Sequence, residues 1–219
     1  MPESRYTIDN FGTATIEVGK TTVDISVRIQ LDMFEPGDSY AIPLAITECS
    51  IDGYDKNIIN KLIVVEYPLD VNMFTKVPLT VDMLKCNYPD PSEGVYPNVL
   101  DNDPETFFHS SWRGGIDDYH YWQVELPDAN NKAFYFYYKG RSGRADGNWK
   151  KVLISVSQDG DKFYDIGLLT SSDLPQSGDA EYTSMPFASS VPFKYVRLTQ
   201  QDKKDSYFVM AEFAMWIYK

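Results

Sequence analysis

The chain has 219 residues, enough for one large or two modest domains with a real buried core. It carries 32 acidic against 20 basic residues, a net charge of −12, and 15% of it is aromatic. That balance argues against a nucleic-acid partner, whose affinity comes from Lys and Arg neutralising phosphates, and against an anionic membrane surface; a neutral polar ligand or a cation fits better.

Between residues 6 and 67 the pattern has period two. Thr13-Ala14-Thr15-Ile16-Glu17-Val18 and Val23-Asp24-Ile25-Ser26-Val27-Arg28-Ile29-Gln30-Leu31 alternate apolar with polar, which predicts strands with one core face each. Gly19-Lys20 reads as the turn between them and Glu35-Pro36-Gly37-Asp38 as another. Strands over 40–47 and 61–67 follow. Residues 1–70 therefore read as an immunoglobulin-like sandwich; four to five strands fall short of the usual seven or so, so part of it is either missing or borrowed. Residues 68–79 mix prolines with polar residues and read as a linker, with a domain boundary at 70–78 and a short helical turn at 80–85 capped by Thr80.

The second domain, 79–219, opens on Leu100-Asp101-Asn102-Asp103-Pro104-Glu105-Thr106, followed by the aromatic cluster Phe107, Phe108, His109 and Trp112. Two carboxylates and a hydroxyl within six residues suit the all-oxygen shell that Ca²⁺ prefers. The plain alternative is a solvated turn, since Asp and Asn favour turns for local hydrogen-bonding reasons. Alternating strands follow at Tyr121-Trp122-Gln123-Val124-Glu125-Leu126, at 134–139, and at Val152-Leu153-Ile154-Ser155-Val156-Ser157, which runs into Gln158-Asp159-Gly160. Phe193-Lys194-Tyr195-Val196-Arg197-Leu198 and Ala211-Glu212-Phe213 close the pattern. Trp122 and Trp216 sit inside such strands and read as core. Arg141-Ser142-Gly143-Arg144-Ala145-Asp146-Gly147-Asn148-Trp149 is a loop between two strands, at an end of a sandwich where binding residues gather.

In the order and spacing of these pieces, residues 79–219 resemble the discoidin-like, coagulation factor 5/8 type C family, a jelly roll also used as a galactose-type carbohydrate-binding module. The resemblance implies an all-β fold, glycan binding and a structural Ca²⁺. Its metal ligands would be Asp101, Asp103, Thr106 and Glu212, with the carbonyls of Val99 and Ala211 in support. The family's glycine between the two aspartates is Asn102 here, and Asn tolerates a left-handed backbone best among the non-glycine residues. For the sugar, the resemblance implies Arg141 and Asn148 as hydroxyl partners, with Trp112, Trp149, Tyr207 and Phe208 as candidate aromatic platforms and His109 beside them. Other readings stand next to these: Arg141 pairing with Asp146 across its loop, Trp149 as core, His109 as a hydrogen-bonded structural residue. The segments Tyr6-Thr7-Ile8, Ile16-Glu17-Val18 and Pro36-Gly37-Asp38-Ser39-Tyr40-Ala41-Ile42-Pro43-Leu44 resemble the uncharacterised β-sandwich near the N-terminus of many Bacteroidetes surface lipoproteins. There a discoidin-like module often follows, beside starch-utilisation-type glycan-uptake genes.

Catalysis finds little support. The chain has two histidines, His109 and His120, and no H-E-x-x-H, G-x-S-x-G or G-x-x-x-x-G-K. Two cysteines, Cys49 and Cys86, make no disulfide framework, and the absence of C-x-x-C argues against zinc and thioredoxin chemistry. Their positions in different predicted domains argue against pairing. No run approaches the roughly 18 apolar residues of a membrane span. Met1-Pro2-Glu3-Ser4 is polar, so the chain is cytosolic or has lost a leader, and the resemblance implies the second. The expectation is a non-catalytic glycan-binding protein, lipid-anchored at the outer-membrane surface among glycan-uptake proteins. A protein-interaction or spacer module without glycan affinity is the alternative.

Overall fold

The computed structural model describes residues 2–9, 13–30, 34, 37–45, 48, 50, 60–66 and 68–219. They divide into two compact units, Met1–Asp70 and Val71–Lys219. Among the described residues there is no α-helix, only 3-10 turns and strands.

In the first unit, β1 (Tyr6–Ile8) pairs antiparallel with β2 (Val27–Ile29), and β3 (Ser39–Ala45) with β4 (Asn60–Glu66). Arg5, just before β1, donates to the Tyr40 hydroxyl at 2.7 Å and lies over the rings of Phe34 and Tyr40, so one side chain links the two ribbons. Ile42 and Phe34 are buried. The strand expected over Thr13–Val18 does not form: these residues are coil running into a turn, and Ile16 and Val18 are exposed. Alternation marks a surface that suits a sheet, but a strand exists only where a second one accepts its hydrogen bonds. The expected turn is present, with Gly19 at φ +86° and the Lys20 N–H on the Glu17 carbonyl. The ends of the other expected strands, at Leu31, 46–47 and Tyr67, lie outside the described residues, as does Cys49. Cys86 is free and buried, and burial pushes its thiol up to about 12, so it is inert.

The second unit is a jelly-roll sandwich. Its strands are β5 (Thr75–Lys76), β6 (Leu84–Cys86), β7 (Phe108–His109), β8 (Tyr121–Glu125), β9 (Asn131–Lys139), β10 (Lys151–Ser157), β11 (Tyr164–Thr170), β12 (Glu181–Thr183), β13 (Phe187–Phe193), β14 (Tyr195–Gln200), β15 (Val209–Met210) and β16 (Glu212–Tyr218). One sheet runs β11-β10-β14-β8-β6 and the other β12-β9-β16-β5, with β13 also on β9. Part of the segment read as a linker therefore belongs to the sandwich, because Thr75 and Lys76 pair with Ile217 and Trp216. Likewise Val81–Met83 is a single 3-10 turn without a Thr80 side-chain cap, and Leu84 already starts β6.

Period-two alternation builds the core. Phe134, Phe136 and Tyr138 of β9, Val152, Ile154 and Val156 of β10, Val196 and Leu198 of β14, and Phe213 and Met215 of β16 all point inward and are buried. Trp122 is fully buried, with Phe108 at 4.9 Å and Phe213 at 5.7 Å between ring centres; truncating such a ring costs about 3–5 kcal/mol. Trp216 departs from its core assignment. It stacks on Tyr135 at 4.8 Å on the outer face of its sheet, with the Lys76 ammonium 5.5 Å from its ring. There it lines a groove of about 690 Å³ with Tyr137, Leu79, Leu100 and Glu212.

His120 is fully buried, with Nδ1 3.1 Å from the Ser110 hydroxyl. Burial lowers its pKa below 6.5, against the opposing fields of Asp205 and Asp118. The unfolded chain therefore binds this proton first. Stability is complete above pH 6.5 and falls as pH drops below it toward the folded value. His120→Asn should flatten that limb of a melting-temperature profile measured at one fixed calcium concentration; an unchanged profile would remove His120 as its cause.

Candidate functional site

Several loops meet at one end of the second sandwich, and backbone bonds join them. The Val209 N–H reaches the Gly147 carbonyl, Ser110 N–H the Phe208 carbonyl, Asp90 N–H the His109 carbonyl, and His109 N–H the Glu93 carbonyl. Gly147 has φ +91°, and a Cβ there would stand 2.6 Å from Val209 and 3.1 Å from Tyr207, so only glycine lets these loops close.

Four side chains line up on this surface. The Arg141 guanidinium lies 3.9 Å from the centre of the Phe107 ring, Phe107 meets His109 at 6.4 Å, and His109 meets Tyr207 at 4.9 Å. His109 Nδ1 is 2.6 Å from the Ser110 carbonyl. A carbonyl only accepts, so Nδ1 carries the hydrogen and Nε2 is left as the ring's acceptor. Arg141 makes no side-chain hydrogen bond or ion pair among the described residues; Arg144, not Arg141, faces Asp146, at 3.7 Å. Beside this row, Trp112 is 50% exposed, yet its indole N–H is held by Glu93 at 3.0 Å and Arg113 lies 5.4 Å from its ring.

Arg141, Tyr207 and Trp112 thus share one surface, with His109 largely buried, 7% exposed, in the row between Phe107 and Tyr207, whereas three expected residues do not. Asn148 is buried, and its amide donates to the Ser177 carbonyl at 2.8 Å, closing the loop from within. Trp149 and Phe208 are core, 5.4 Å apart, each packed against further buried rings. Phe107 and Glu93 were missed. The first had a signal: in an extended segment Phe107 and His109 share a face opposite Phe108. Glu93 had none, because a fold across fifteen residues brings it to His109.

The acidic loop makes its own hydrogen bonds. Asp101 Oδ1 accepts from Asp103 N–H and Oδ2 from the Thr106 hydroxyl, both within 2.9 Å, and Asp103 Oδ1 accepts from Glu105 N–H. Asn102 takes the expected left-handed turn, φ +60°. Glu212, at the start of β16, has a buried Oε1 without a hydrogen-bond partner. Burial, and then the charges of Asp101 and Asp103, raise its pKa, with Lys139 pulling the other way. Among the described residues no three such groups converge into a closed metal cage. The oxygen-only donors and the unpartnered buried carboxylate nevertheless suit a hard cation, which would relieve both the burial cost and the repulsion.

No curated protein matches the sequence. Among solved structures, the chain is similar to CpGH89CBM32-5 from Clostridium perfringens, in complex with GalNAc-β-1,3-galactose, at 20% identity and TM-score 0.51, covering 66% of this chain and all of that one. Other similar structures are the family 32 CBM of C. perfringens NanJ in complex with galactose (13% identity, TM-score 0.49, 65% of this chain and 98% of that one) and the C-terminal domain of a Bacteroides fragilis chitobiase (21%, 0.48, 65% and 97%). The first of these likenesses shows the fold; it does not by itself carry function. Residues 84–213, from β6 into β16, match the model of the F5/8 type C domain, and the chain belongs to that family.

Proposed function

We propose that the second unit binds glycans on the surface formed by Arg141, Phe107, His109, Tyr207 and Trp112, without catalysis. The observation that carries this reading is Arg141: a guanidinium 3.9 Å from the centre of the Phe107 ring, its planar donors uncommitted among the described residues, with His109, whose Nε2 is left as acceptor, against the same ring. Paired donors in fixed geometry suit vicinal hydroxyls, and a half-exposed indole suits the apolar face of a sugar ring. The glycan in the similar C. perfringens module, GalNAc-β-1,3-galactose, supports a galactose-type ligand.

The same reading includes a structural Ca²⁺ held by Asp101, Asp103 and Glu212, with Thr106 bracing the loop. When bound, the ion supplies positive charge that lets Glu212 stay ionised while buried. The proposal also places the chain outside the cell, lipid-anchored at an outer-membrane surface with glycan-uptake partners, in line with the resemblance of residues 6–44 to surface-lipoprotein sandwiches.

A glycan array probed with the full chain tests the reading. Galactose- or GalNAc-terminated glycans should be retained and Trp112→Ala should weaken that retention. A blank array with folded, calcium-loaded protein would overturn it in favour of an interaction module.

A further inference from the structure

We propose that Asp90 is a positioning residue of this surface: its buried carboxylate clamps loop 90–94 and Arg113 together, and thereby fixes Glu93, His109 and Trp112 relative to one another. The consequence for glycan affinity rests on the function proposed above; the positioning itself does not.

The Asp90 side chain is fully shielded from solvent, and its two oxygens accept five hydrogen bonds. Ser92 N–H and its hydroxyl stand at 2.9 and 2.8 Å, Glu93 N–H at 3.2 Å, and Arg113 reaches both oxygens, Nε at 2.9 Å and Nη2 at 3.1 Å. Burial works against the charge, but the bonds from Arg113, Ser92 and Glu93 outweigh it and hold the carboxyl well below the usual carboxylate range. Arg113 Nη2 also donates to the Ser92 hydroxyl at 2.8 Å, closing a ring of three side chains. The loop is wound too tightly for a side chain at its end: Gly94 N–H bonds the Asp90 carbonyl at 2.8 Å, and a Cβ on Gly94 would lie 2.6 Å from that oxygen.

Three elements of the surface hang on this hub. Backbone bonds of 3.0 Å in each direction, Asp90 N–H to His109 carbonyl and His109 N–H to Glu93 carbonyl, fasten the loop to the strand that carries His109. Glu93, oriented by its own N–H on Asp90, holds the Trp112 indole nitrogen. Arg113, fixed by both Asp90 oxygens, lies beside the same indole. A tryptophan half in water has less packing to select its rotamer than a core one; here its N–H and its ring are each restrained by a group that Asp90 positions. A buried, multiply bonded carboxylate is well suited to this, because leaving any donor unpaired costs more than the bond itself contributes.

The test uses the full chain and acrylamide quenching of Trp112, read as the difference between each protein and its Trp112→Phe counterpart. Asp90→Asn keeps the shape and removes the charge. It should make the Trp112 signal markedly easier to quench, leave the Trp122, Trp149 and Trp216 signal unchanged, and weaken binding of an array-positive glycan about three- to tenfold. Ser92→Ala, a milder cut in the same ring that serves if Asp90→Asn does not fold, should shift Trp112 quenching in the same direction by less. Easier Trp112 quenching with no glycan bound by the wild type would uphold the positioning and sink the proposed function. Unchanged Trp112 quenching in the folded variants overturns the positioning, even if the wild type binds glycan and the variants melt earlier.

Discussion

Calcium should raise the melting temperature of this protein by several degrees, and Glu212→Gln should abolish that increment. An ion that binds only the folded state stabilises by mass action, about 2.7 kcal/mol at a hundredfold excess over Kd, which for a domain of this size is roughly 5–10 °C. Glu212 contributes a pH dependence of its own, opposite in sign to that of His120. Its folded pKa lies above the ordinary 4.5 because it is buried beside Asp101 and Asp103. In chelator, its contribution is therefore complete below pH 4.5 and is lost as pH rises through the folded value. The chelated protein should thus lose stability toward neutral pH through this group, and calcium should restore it by neutralising the carboxylate. Glu212→Gln has no charge to bury, so in chelator at pH 7 it should melt above the wild type and respond little to calcium. Superimposable wild-type melting curves in millimolar calcium and in chelator would refute the site.

Arg141→Ala and Asn148→Ala, seven residues apart in one loop, should separate binding from folding. Hydrogen bonds from a charged donor contribute about 1.5–3 kcal/mol, so removing Arg141 should weaken an array-positive glycan tenfold or more. The melting temperature should move only slightly, since the native interaction lost is one partly exposed contact with Phe107 worth about 0.5–1 kcal/mol. Lysine should not rescue binding, because an ammonium has neither the planar fork nor the face that stacks on Phe107. Asn148→Ala removes a buried bond and leaves the Ser177 carbonyl unpaired, a loss of about 1–3 kcal/mol in stability. Its glycan affinity, measured where it is folded, should stay near wild type. Titration calorimetry paired with thermal melts reads both effects; an Asn148→Ala protein that melts normally but does not bind would return that residue to the site.

What the sequence determined by itself was whatever depends on neighbouring residues. Alternation in Tyr121–Glu125 and Lys151–Ser157 is a local property of a pleated strand with one buried face, and these strands formed where their patterns lay; the pattern over Phe193–Leu198 is divided, Phe193 ending β13 and Tyr195 starting β14, which runs on to Gln200. The turns were legible for the same reason. Asn102 takes its left-handed conformation, and Gly160, at φ +86°, follows an Asp159 that accepts the N–H groups of Asp161 and Lys162. Tertiary structure alone decided which way the loop side chains face. Asn148 turned inward because a carbonyl twenty-nine residues on accepts its amide, Trp149 because Tyr138 and Phe208 leave room for it, while Arg141 stayed outside because Phe107 offers a ring to lie on. Thr13–Val18 shows the same limit in reverse, a strand pattern left as coil because alternation cannot supply the second strand. Asp90 carries the local mark of a turn, accepting from Ser92 and Glu93, but its role and that of Glu93 come from the closure that brings Arg113 and Trp112 back onto their loop, and residue types in one stretch of chain do not encode which distant loop will meet them.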